Sequence, residues 1–400
     1  MYVSSFKTQG QKIQNFIKKN FLLILTIVSA LIVSGCSIED PKHGFSGTMV
    51  VATVASDWSS ASHSVVSYDK PRISINNLLP TLTSDITITS HGRYFYRIER
   101  FFADNITKFD INATDTPIWQ YSTMDSNDID ENITSSNPHS LIFDNDTKAF
   151  ILRYESSRAW IVDPSAETEG SFKIGELDLS VYNDADGNPE MTAGIIEGNR
   201  IYIVMQRIGR SSFPYDYTGT SYVAVFNKDN GTEIDTGKGS GGLKGIPLTL
   251  HNPQVVTYYS GKLYISCVGD YNASSPDSGI EVIDTSDFNS TTIASGTMVM
   301  DVEIASDIKG YFIEYIEWGN SNLRSFNPAS GIINSENIGD IGGGDWNLND
   351  ILIDPHGYLW VGDASVNHSG VYVIDTASDT LDEGPISTNL NPMKFTLCEN

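Results

Sequence analysis

Short, mostly apolar segments that end in Asp or Asn recur along this chain, and they are its most regular pattern. Neighbouring segments begin about 40 to 65 residues apart. A repeat of this length in a Gly- and Asn-rich sequence is typical of β-propeller blades, none of which can bury its apolar faces alone. The seven segments are residues 65–69, 106–110, 159–163, 223–227, 280–284, 323–327 and 371–375.

Two further apolar segments precede most of these repeats, and a fourth follows the turn after each, so the pattern predicts four-stranded blades. The first blade is the exception, because it opens directly at residues 49–55 without an innermost strand. Residues 391–397 resemble the missing strand and lie at the end of the chain. We therefore predict an all-β, seven-bladed β-propeller over residues 48–400, closed by a C-terminal strand that joins the N-terminal blade.

The predicted strand order places one residue per blade at the mouth of the central channel. In such a ring, the innermost strands begin on the same face that carries the loops between second and third strands. Carboxylates crowded there would favour a bound cation or polar ligand, whereas a merely water-filled channel would also keep these positions polar. The seven mouth positions are Asp85, His139, Glu190, Gln254, Asp301, Asp350 and Lys394.

Aromatic residues are concentrated in the loops predicted on the same face. Exposed rings beside a polar channel suit a flat or sugar-like ligand or a partner protein, although they could instead pack back onto the blades. The loop over residues 55–64 also carries His63. The predicted ligand-binding rings are Trp58, Phe213, Tyr215, Tyr217, Tyr271 and Trp318.

One acidic turn resembles the first half of a calcium loop. It offers oxygen ligands at alternate positions, with Gly187 at the bend. Hard oxygen donors at this spacing can hold Ca²⁺, but Pro189 departs from the full calcium-loop pattern, so an ordinary acidic turn is the alternative. The predicted ligands are Asp184, Asp186, Asn188 and Glu190.

The N-terminal segment predicts export. Residues 1–35 contain four lysines, no acidic residue and an apolar stretch too short to span a bilayer as a helix. The junction from Val33 to Cys36 resembles the lipobox of bacterial lipoproteins, and the alternative is a signal that ends at a chance cysteine. The resemblance implies acylation of Cys36, a tether over residues 36–47 and, since Ser37 replaces the Asp that retains many such proteins in the inner membrane, an outer-membrane location.

The net charge of the chain and the absence of common catalytic motifs limit the functions that the sequence supports. The formal net charge is −25, so long-range repulsion argues against a nucleic-acid partner. The sequence contains no G-x-S-x-G, H-E-x-x-H, P-loop or Cys-x-x-Cys motif. No cofactor is predicted with certainty beyond the calcium hypothesis.

The repeats at residues 282–285 and 371–376, with the stretch at 357–363, resemble those of bacterial YVTN- and NHL-like propellers. This resemblance implies the fold and identifies no specific family. We expect a lipid-anchored envelope or cell-surface protein that binds a small ligand or partner protein at its channel mouth without catalysis. Some outer-membrane propeller lipoproteins capture nutrients, corrinoids among them, for a transporter. A metal-dependent propeller lyase or hydrolase and an envelope scaffold are the alternatives.

Overall fold

The computed structural model describes residues 47–130, 133–210, 215–271 and 275–399. These residues form seven sheets of four antiparallel strands, arranged as the blades of a β-propeller, which confirms the predicted fold class. The predicted signal peptide, Cys36 and nearly all of the tether lie outside the described residues. Within the described part of the chain, no helix has the length and apolar character required to traverse a bilayer.

Blades are numbered in chain order, and each runs outward from the channel. Blades 1 to 3 contain β1 (Gly47–Val54), β2 (Ala61–Ser67) and β3 (Ser74–Thr81); β4 (Ile86–His91), β5 (Tyr94–Glu99), β6 (Asn105–Asp110) and β7 (Ala113–Ser122); and β8 (Pro138–Asn145), β9 (Lys148–Arg153), β10 (Arg158–Val162) and β11 (Lys173–Asp178). Blades 4 and 5 contain β12 (Met191–Glu197), β13 (Arg200–Met205), β14 (Tyr222–Asn227) and β15 (Ile246–Pro247); and β16 (Pro253–Tyr259), β17 (Lys262–Cys267), β18 (Gly279–Asp284) and β19 (Ser290–Ile293).

Blades 6 and 7 complete the ring together with one last strand. They contain β20 (Val299–Ser306), β21 (Lys309–Glu317), β22 (Asn320–Phe326) and β23 (Gly342–Gly343); and β24 (Leu348–Ile353), β25 (Tyr358–Asp363), β26 (Gly370–Asp375) and β27 (Thr380–Ile386), followed by β28 (Asn391–Glu399). The helical elements are short: an α-helix, α1 (Ser126–Asp130), and 3₁₀ turns at Glu169–Ser171, Ser180–Tyr182 and Ile338–Asp340.

The ring is closed by β28, as predicted. This C-terminal strand pairs antiparallel with β1, from Gly47 opposite Glu399 to Val54 opposite Asn391, and gives blade 1 the order β28-β1-β2-β3. A register shift interrupts the pairing between Ala52 and Thr53. Blade 1 is therefore built from both ends of the described chain, and β28 covers the edge of β1 that would otherwise lack a partner strand.

The recurring segments are the third strands of the blades, and their terminal Asp or Asn has a turn-forming role. In six of the seven segments, this side chain accepts a hydrogen bond from the backbone N–H two residues later, as Asp110 does from Asn112 at 2.9 Å. Such Asx turns start the hairpin to the fourth strand. The seventh segment ends at Asp69, where the residue two positions later is Pro71, which has no N–H.

The core consists of seven apolar clusters among the described residues, one at each interface between neighbouring blades. Successive residues of a second strand serve opposite interfaces because strand side chains alternate. Phe95 packs toward blade 1 and Tyr96 toward blade 3. Phe395 of β28 packs in the cluster between blades 7 and 1, so ring closure buries apolar surface in the same way as every other interface.

One residue predicted in a mouth loop lies in the core instead. The loop after β1 is shorter than predicted, because β2 begins at Ala61. His63 is consequently a fully buried strand residue, with its ring 5.0 Å from that of Phe95. The prediction of His63 as a loop residue was wrong.

Candidate functional site

The innermost strands enclose a channel cavity of about 550 Å³. Its lining includes five of the seven predicted mouth residues: His139, Gln254, Asp301, Asp350 and Lys394. The face at which these strands begin also carries the loops between second and third strands, and we call it the mouth face.

Two of these carboxylates connect neighbouring blades. Asp350 Oδ2 accepts a hydrogen bond of 2.7 Å from the Phe395 backbone amide, and Asp301 Oδ2 accepts one of 3.1 Å from the Ile351 amide. Each acid thus binds the backbone just after the equivalent mouth position of the next blade. Their oxygens are therefore engaged in inter-blade bonds rather than directed only toward the channel.

A lysine lies among the carboxyl groups on the acidic side of the channel. Burial, together with the repulsion from Asp301, raises the pKa of Asp350 well above its usual range, and the attraction of Lys394 opposes this rise. Lys394 Nζ forms an ion pair with Asp350 Oδ1. Attraction from Asp350 and Asp301 outweighs desolvation and raises the pKa of Lys394, so this amine stays charged.

Sequence reasoning missed a third acid on this side. Glu303 lies two residues after Asp301 on β20, so strand alternation points both side chains into the channel. Burial and then the neighbouring Asp301 raise the pKa of Glu303 well above its usual range. The sequence does carry a signal for Glu303, because it lies two residues after a predicted mouth residue on the same innermost strand.

The opposite side of the channel is basic and aromatic. The His139 ring stacks on Tyr154 with 4.3 Å between centroids, and burial followed by the charges of Arg100 and Arg210 lowers its pKa well below the usual range. His139 is therefore neutral at physiological pH. Arg100, which sequence reasoning also missed, directly follows β5 and lines the channel.

The other two predicted mouth residues do not line this cavity. Asp85 is held by Arg100, whose Nε donates to Oδ1 at 2.7 Å. Glu190 precedes β12 and has a φ of 50°, so it departs from the strand geometry that the alignment of strand starts assumes. Its carboxyl group is fully buried and accepts a hydrogen bond of 3.1 Å from the Ile208 amide.

The predicted calcium turn brings three carboxylates together. Ligand atoms of Asp184, Asp186 and Glu190 lie within 4.8 Å of one another, while the Asn188 backbone amide donates to Asp186 at 3.1 Å. Burial raises the pKa of Glu190 to about 9. Arg210 Nη2 already donates to Glu190 Oε1 at 3.1 Å, so a positive charge of the chain itself neutralises part of this cluster.

Two predicted aromatic residues meet at a second cavity of about 450 Å³, which we call the mouth pocket. Trp58, in the loop after β1, and Trp318, in the turn after β21, both line it, although they belong to blades 1 and 6. Asn349 and Met393 line both the mouth pocket and the channel, so the two cavities adjoin.

The other predicted rings extend the aromatic surface around the mouth. Tyr271 lies 6.2 Å from Tyr217 and 6.2 Å from Tyr315 between ring centroids, which links blades 4, 5 and 6. Tyr215 lines a further cavity of about 520 Å³ near Arg210. Phe213 lies outside the described residues.

Three exposed rings of the mouth face adopt a backbone conformation that is rare for aromatic residues. Trp58, Phe102 and Tyr271 have φ of 60°, 63° and 58°, and side-chain-bearing residues seldom occupy this left-handed region. Each lies in the loop between the second and third strands of its blade, and the residues are 51%, 66% and 45% exposed. Such a conformation costs about 1 to 3 kcal/mol per residue, and its recurrence at exposed rings makes this surface a candidate binding site.

Comparison with known proteins supports the fold alone. No protein-family model matches the sequence, and neither does any curated protein. A structural-genomics protein from Lactobacillus plantarum matches at 11% identity and a TM-score of 0.60, over 88% of this chain and 100% of its own. AztD from Citrobacter koseri matches at 12% and 0.52, over 88% and 98%. A streptogramin B lyase matches at 13% and 0.53, over 78% and 86%. The chain is thus similar to these proteins in its β-propeller fold.

Proposed function

We propose that this protein is a lipid-anchored β-propeller of the bacterial envelope or cell surface that binds a small ligand or partner protein with its mouth face. The observation that carries the proposal is the set of exposed, strained aromatic residues at equivalent loop positions, represented by Trp58, Phe102 and Tyr271. Such rings provide large contact area with few rotatable bonds, so little conformational entropy is lost on binding.

Binding without turnover is the function that the channel chemistry favours. Asp301 and Asp350 use carboxylate oxygens to bind backbone amides of the next blade, and Lys394 is paired with Asp350. Groups engaged in this way are poorly placed to exchange protons with a substrate. The adjoining mouth pocket supplies a concave surface of the size typical of ligand sites.

The binding proposal is tested by native mass spectrometry of protein purified from native membranes. We expect a retained small molecule or protein, lost when both Trp58 and Trp318 are replaced by Ala. Its matched control replaces Ile308, which is exposed in the turn between β20 and β21 on the other face, and should retain the same mass. A wild-type protein that carries nothing, and that no envelope fraction loads, would refute the proposal.

The anchor proposal has a separate test. If Cys36 is acylated, Cys36→Ser should move the protein from the outer-membrane fraction to the soluble fraction. Ser37→Asp should redirect it to the inner membrane if the resemblance to bacterial lipoproteins extends to sorting. Membrane retention of the Cys36→Ser protein would contradict the acyl anchor.

A propeller lyase or hydrolase is the second candidate, and one observation favours it. Asp301, Glu303 and Asp350 line the channel beside Lys394, and burial raises the pKa of Glu303 and of Asp350. Neighbouring buried carboxyl groups with a raised pKa can serve acid–base chemistry. Turnover of a retained ligand that Asp301→Asn abolishes while binding persists would establish this candidate. A partner protein without any small ligand would instead favour an envelope scaffold.

A further inference from the structure

We infer that the mouth pocket binds a neutral carbohydrate. This inference rests on the proposed ligand-binding function and narrows it to one chemical class and one subsite. The pocket lies on the mouth face over blade 7 and is bordered by blades 1 and 6. Closure of the ring by β28 creates it, because Asn391 and Met393 of that strand line the pocket together with Trp58.

Two indole rings provide apolar surface at the pocket. Trp318 is 76% exposed at the tip of the β21–β22 hairpin. Trp58 is exposed on the other side of blade 7, and its backbone has the left-handed conformation. Sugar rings present patches of C–H groups that pack on the faces of large aromatic rings, and the indole N–H can still donate a hydrogen bond. Exposed tryptophans that flank one cavity suit such a ligand.

The remaining lining is rich in amides and hydroxyls. A carboxamide both donates and accepts hydrogen bonds, as a sugar hydroxyl does, so the two groups can satisfy each other in pairs. A flat heterocycle with few polar atoms would offer these groups fewer hydrogen bonds than a sugar does. The amide and hydroxyl side chains that line the pocket are Asn347, Asn349, Asn367, Asn391, Ser56 and Ser365.

Charge selects a neutral ligand. No Lys, Arg or His is present among the described residues that line the mouth pocket, and its one ionisable group is the exposed carboxylate of Asp345. The chain as a whole carries a formal charge of −25. An anionic ligand would meet repulsion without a compensating cation, so uronic acids and phosphorylated sugars are disfavoured.

The amide-bearing wall is preorganised by a buried carboxylate. Asp363 accepts hydrogen bonds from the Asn347 backbone amide at 2.8 Å and from Ser365 Oγ at 2.6 Å. Ser365 Oγ in turn accepts a hydrogen bond of 3.1 Å from the His368 amide, which shapes the loop after β25. A wall that is already ordered loses little entropy when a ligand binds, which favours affinity.

The experiment measures acrylamide quenching of tryptophan fluorescence together with calorimetric titration. The probes are neutral di- and trisaccharides of glucose, galactose, mannose and N-acetylglucosamine, with trigalacturonic acid as the charged counterpart. Because the exposed Trp58 and Trp318 dominate quenching, we expect a neutral sugar to bind and to reduce it. Trigalacturonic acid should bind on the order of tenfold more weakly or not at all.

Variants distinguish this pocket from the rest of the protein surface. Trp58→Ala, Trp318→Ala and Asn367→Ala change exposed side chains, so they should fold, and each tryptophan change should weaken sugar binding by on the order of tenfold or more. Ile308→Ala removes an exposed apolar side chain from the turn between β20 and β21 on the other face, away from this pocket, and should leave affinity unchanged.

The possible results distinguish a failure of the carbohydrate inference from a failure of the proposed binding function. If no neutral sugar protects the tryptophans, or if the tryptophan variants bind as tightly as the wild type, the carbohydrate inference fails. A non-carbohydrate ligand found by native mass spectrometry would overturn the inference while the proposed binding function stands. The absence of any retained or added ligand would refute both.

Discussion

The carboxylate of Asp350 accepts a hydrogen bond of 2.7 Å from the backbone amide of Phe395 and so joins blade 7 to the closing strand. Asp301 makes the same contact one blade earlier, with the amide of Ile351. The two bonds show that mouth acids hold the innermost strands of blades 6, 7 and 1 in register. Ring closure therefore depends on polar contacts inside the channel as well as on apolar contacts between the blades.

We expect Asp350→Ala to destabilise the protein by about 2 to 3 kcal/mol, because the buried Phe395 amide would lose its acceptor and Lys394 its partner. Asp350→Asn should have a smaller effect, since its amide oxygen can still accept from Phe395. Thermal and denaturant unfolding measure the difference. Asp85→Asn is the matched control at a mouth position that is 37% exposed, and equal losses at both positions would contradict the inter-blade role.

Deletion of residues 391–400 should prevent formation of a stable ring. The truncated chain would expose the edge of β1 and remove Phe395 and Cys398 from the two interface clusters of blade 1. Limited proteolysis and circular dichroism measure the loss. Because Gly47 pairs with Glu399, a permuted chain that carries residues 391–399 before Gly47 through a short linker should fold again. A stable truncated protein would show that β28 is dispensable.

His63 should make stability depend on pH. Burial is the main cause that lowers its pKa from 6.5 to about 4, and the neutral ring contacts the Thr114 carbonyl through Nε2 at 2.6 Å. The unfolded chain binds a proton below pH 6.5 that the folded protein resists, so this stability is present above that pH and lost toward pH 4. This pKa shift corresponds to about 3 kcal/mol of the free energy of unfolding. The His63→Gln protein should lack this loss of stability at low pH. Denaturant unfolding between pH 4 and pH 7 measures it, and an equal pH dependence of the unfolding free energy in the two proteins would contradict the prediction.

Arg210 should limit the effect of calcium on the acidic turn. Its guanidinium pairs with Glu155 at 2.6 Å and with Glu190 at 3.1 Å. We expect Ca²⁺ to shift the melting temperature of the wild type by less than about 2 °C. In Arg210→Gln, which leaves the carboxylates of Asp184, Asp186 and Glu190 without this charge, Ca²⁺ should stabilise more strongly. A large Ca²⁺-dependent rise in the melting temperature of the wild type would contradict this prediction. If chelation reversed that rise and Asp186→Asn abolished it, the result would support the calcium hypothesis.

The fold was predictable because its signals are local and repeated. The Asp or Asn at the end of each third strand is visible in the sequence, and the structure identifies six of these side chains as hydrogen-bond acceptors in turns. The unpaired innermost strand at residues 391–397 was equally visible, since six blades had one and the first did not. Counting strands was sufficient to predict the closure.

The site was predictable only in part, because alignment of strand starts assigns a position and not a side-chain direction. It placed Asp301, Asp350 and Lys394 in the channel correctly. It misplaced Glu190, whose left-handed backbone departs from strand geometry, and it gave no reason to expect Arg100 to hold Asp85. Glu303 was overlooked although strand alternation from Asp301 points to it.

The amino-acid sequence by itself determined the all-β class, the number of blades and the strand that closes the ring, because apolar periodicity and turn residues act over neighbouring positions. Only the tertiary structure decided that Trp58 and Trp318 border one pocket and that Asp350 holds Phe395. Those relationships join residues far apart in the chain, and they depend on the twist and angle at which the blades pack. No local pattern of residues encodes these distances.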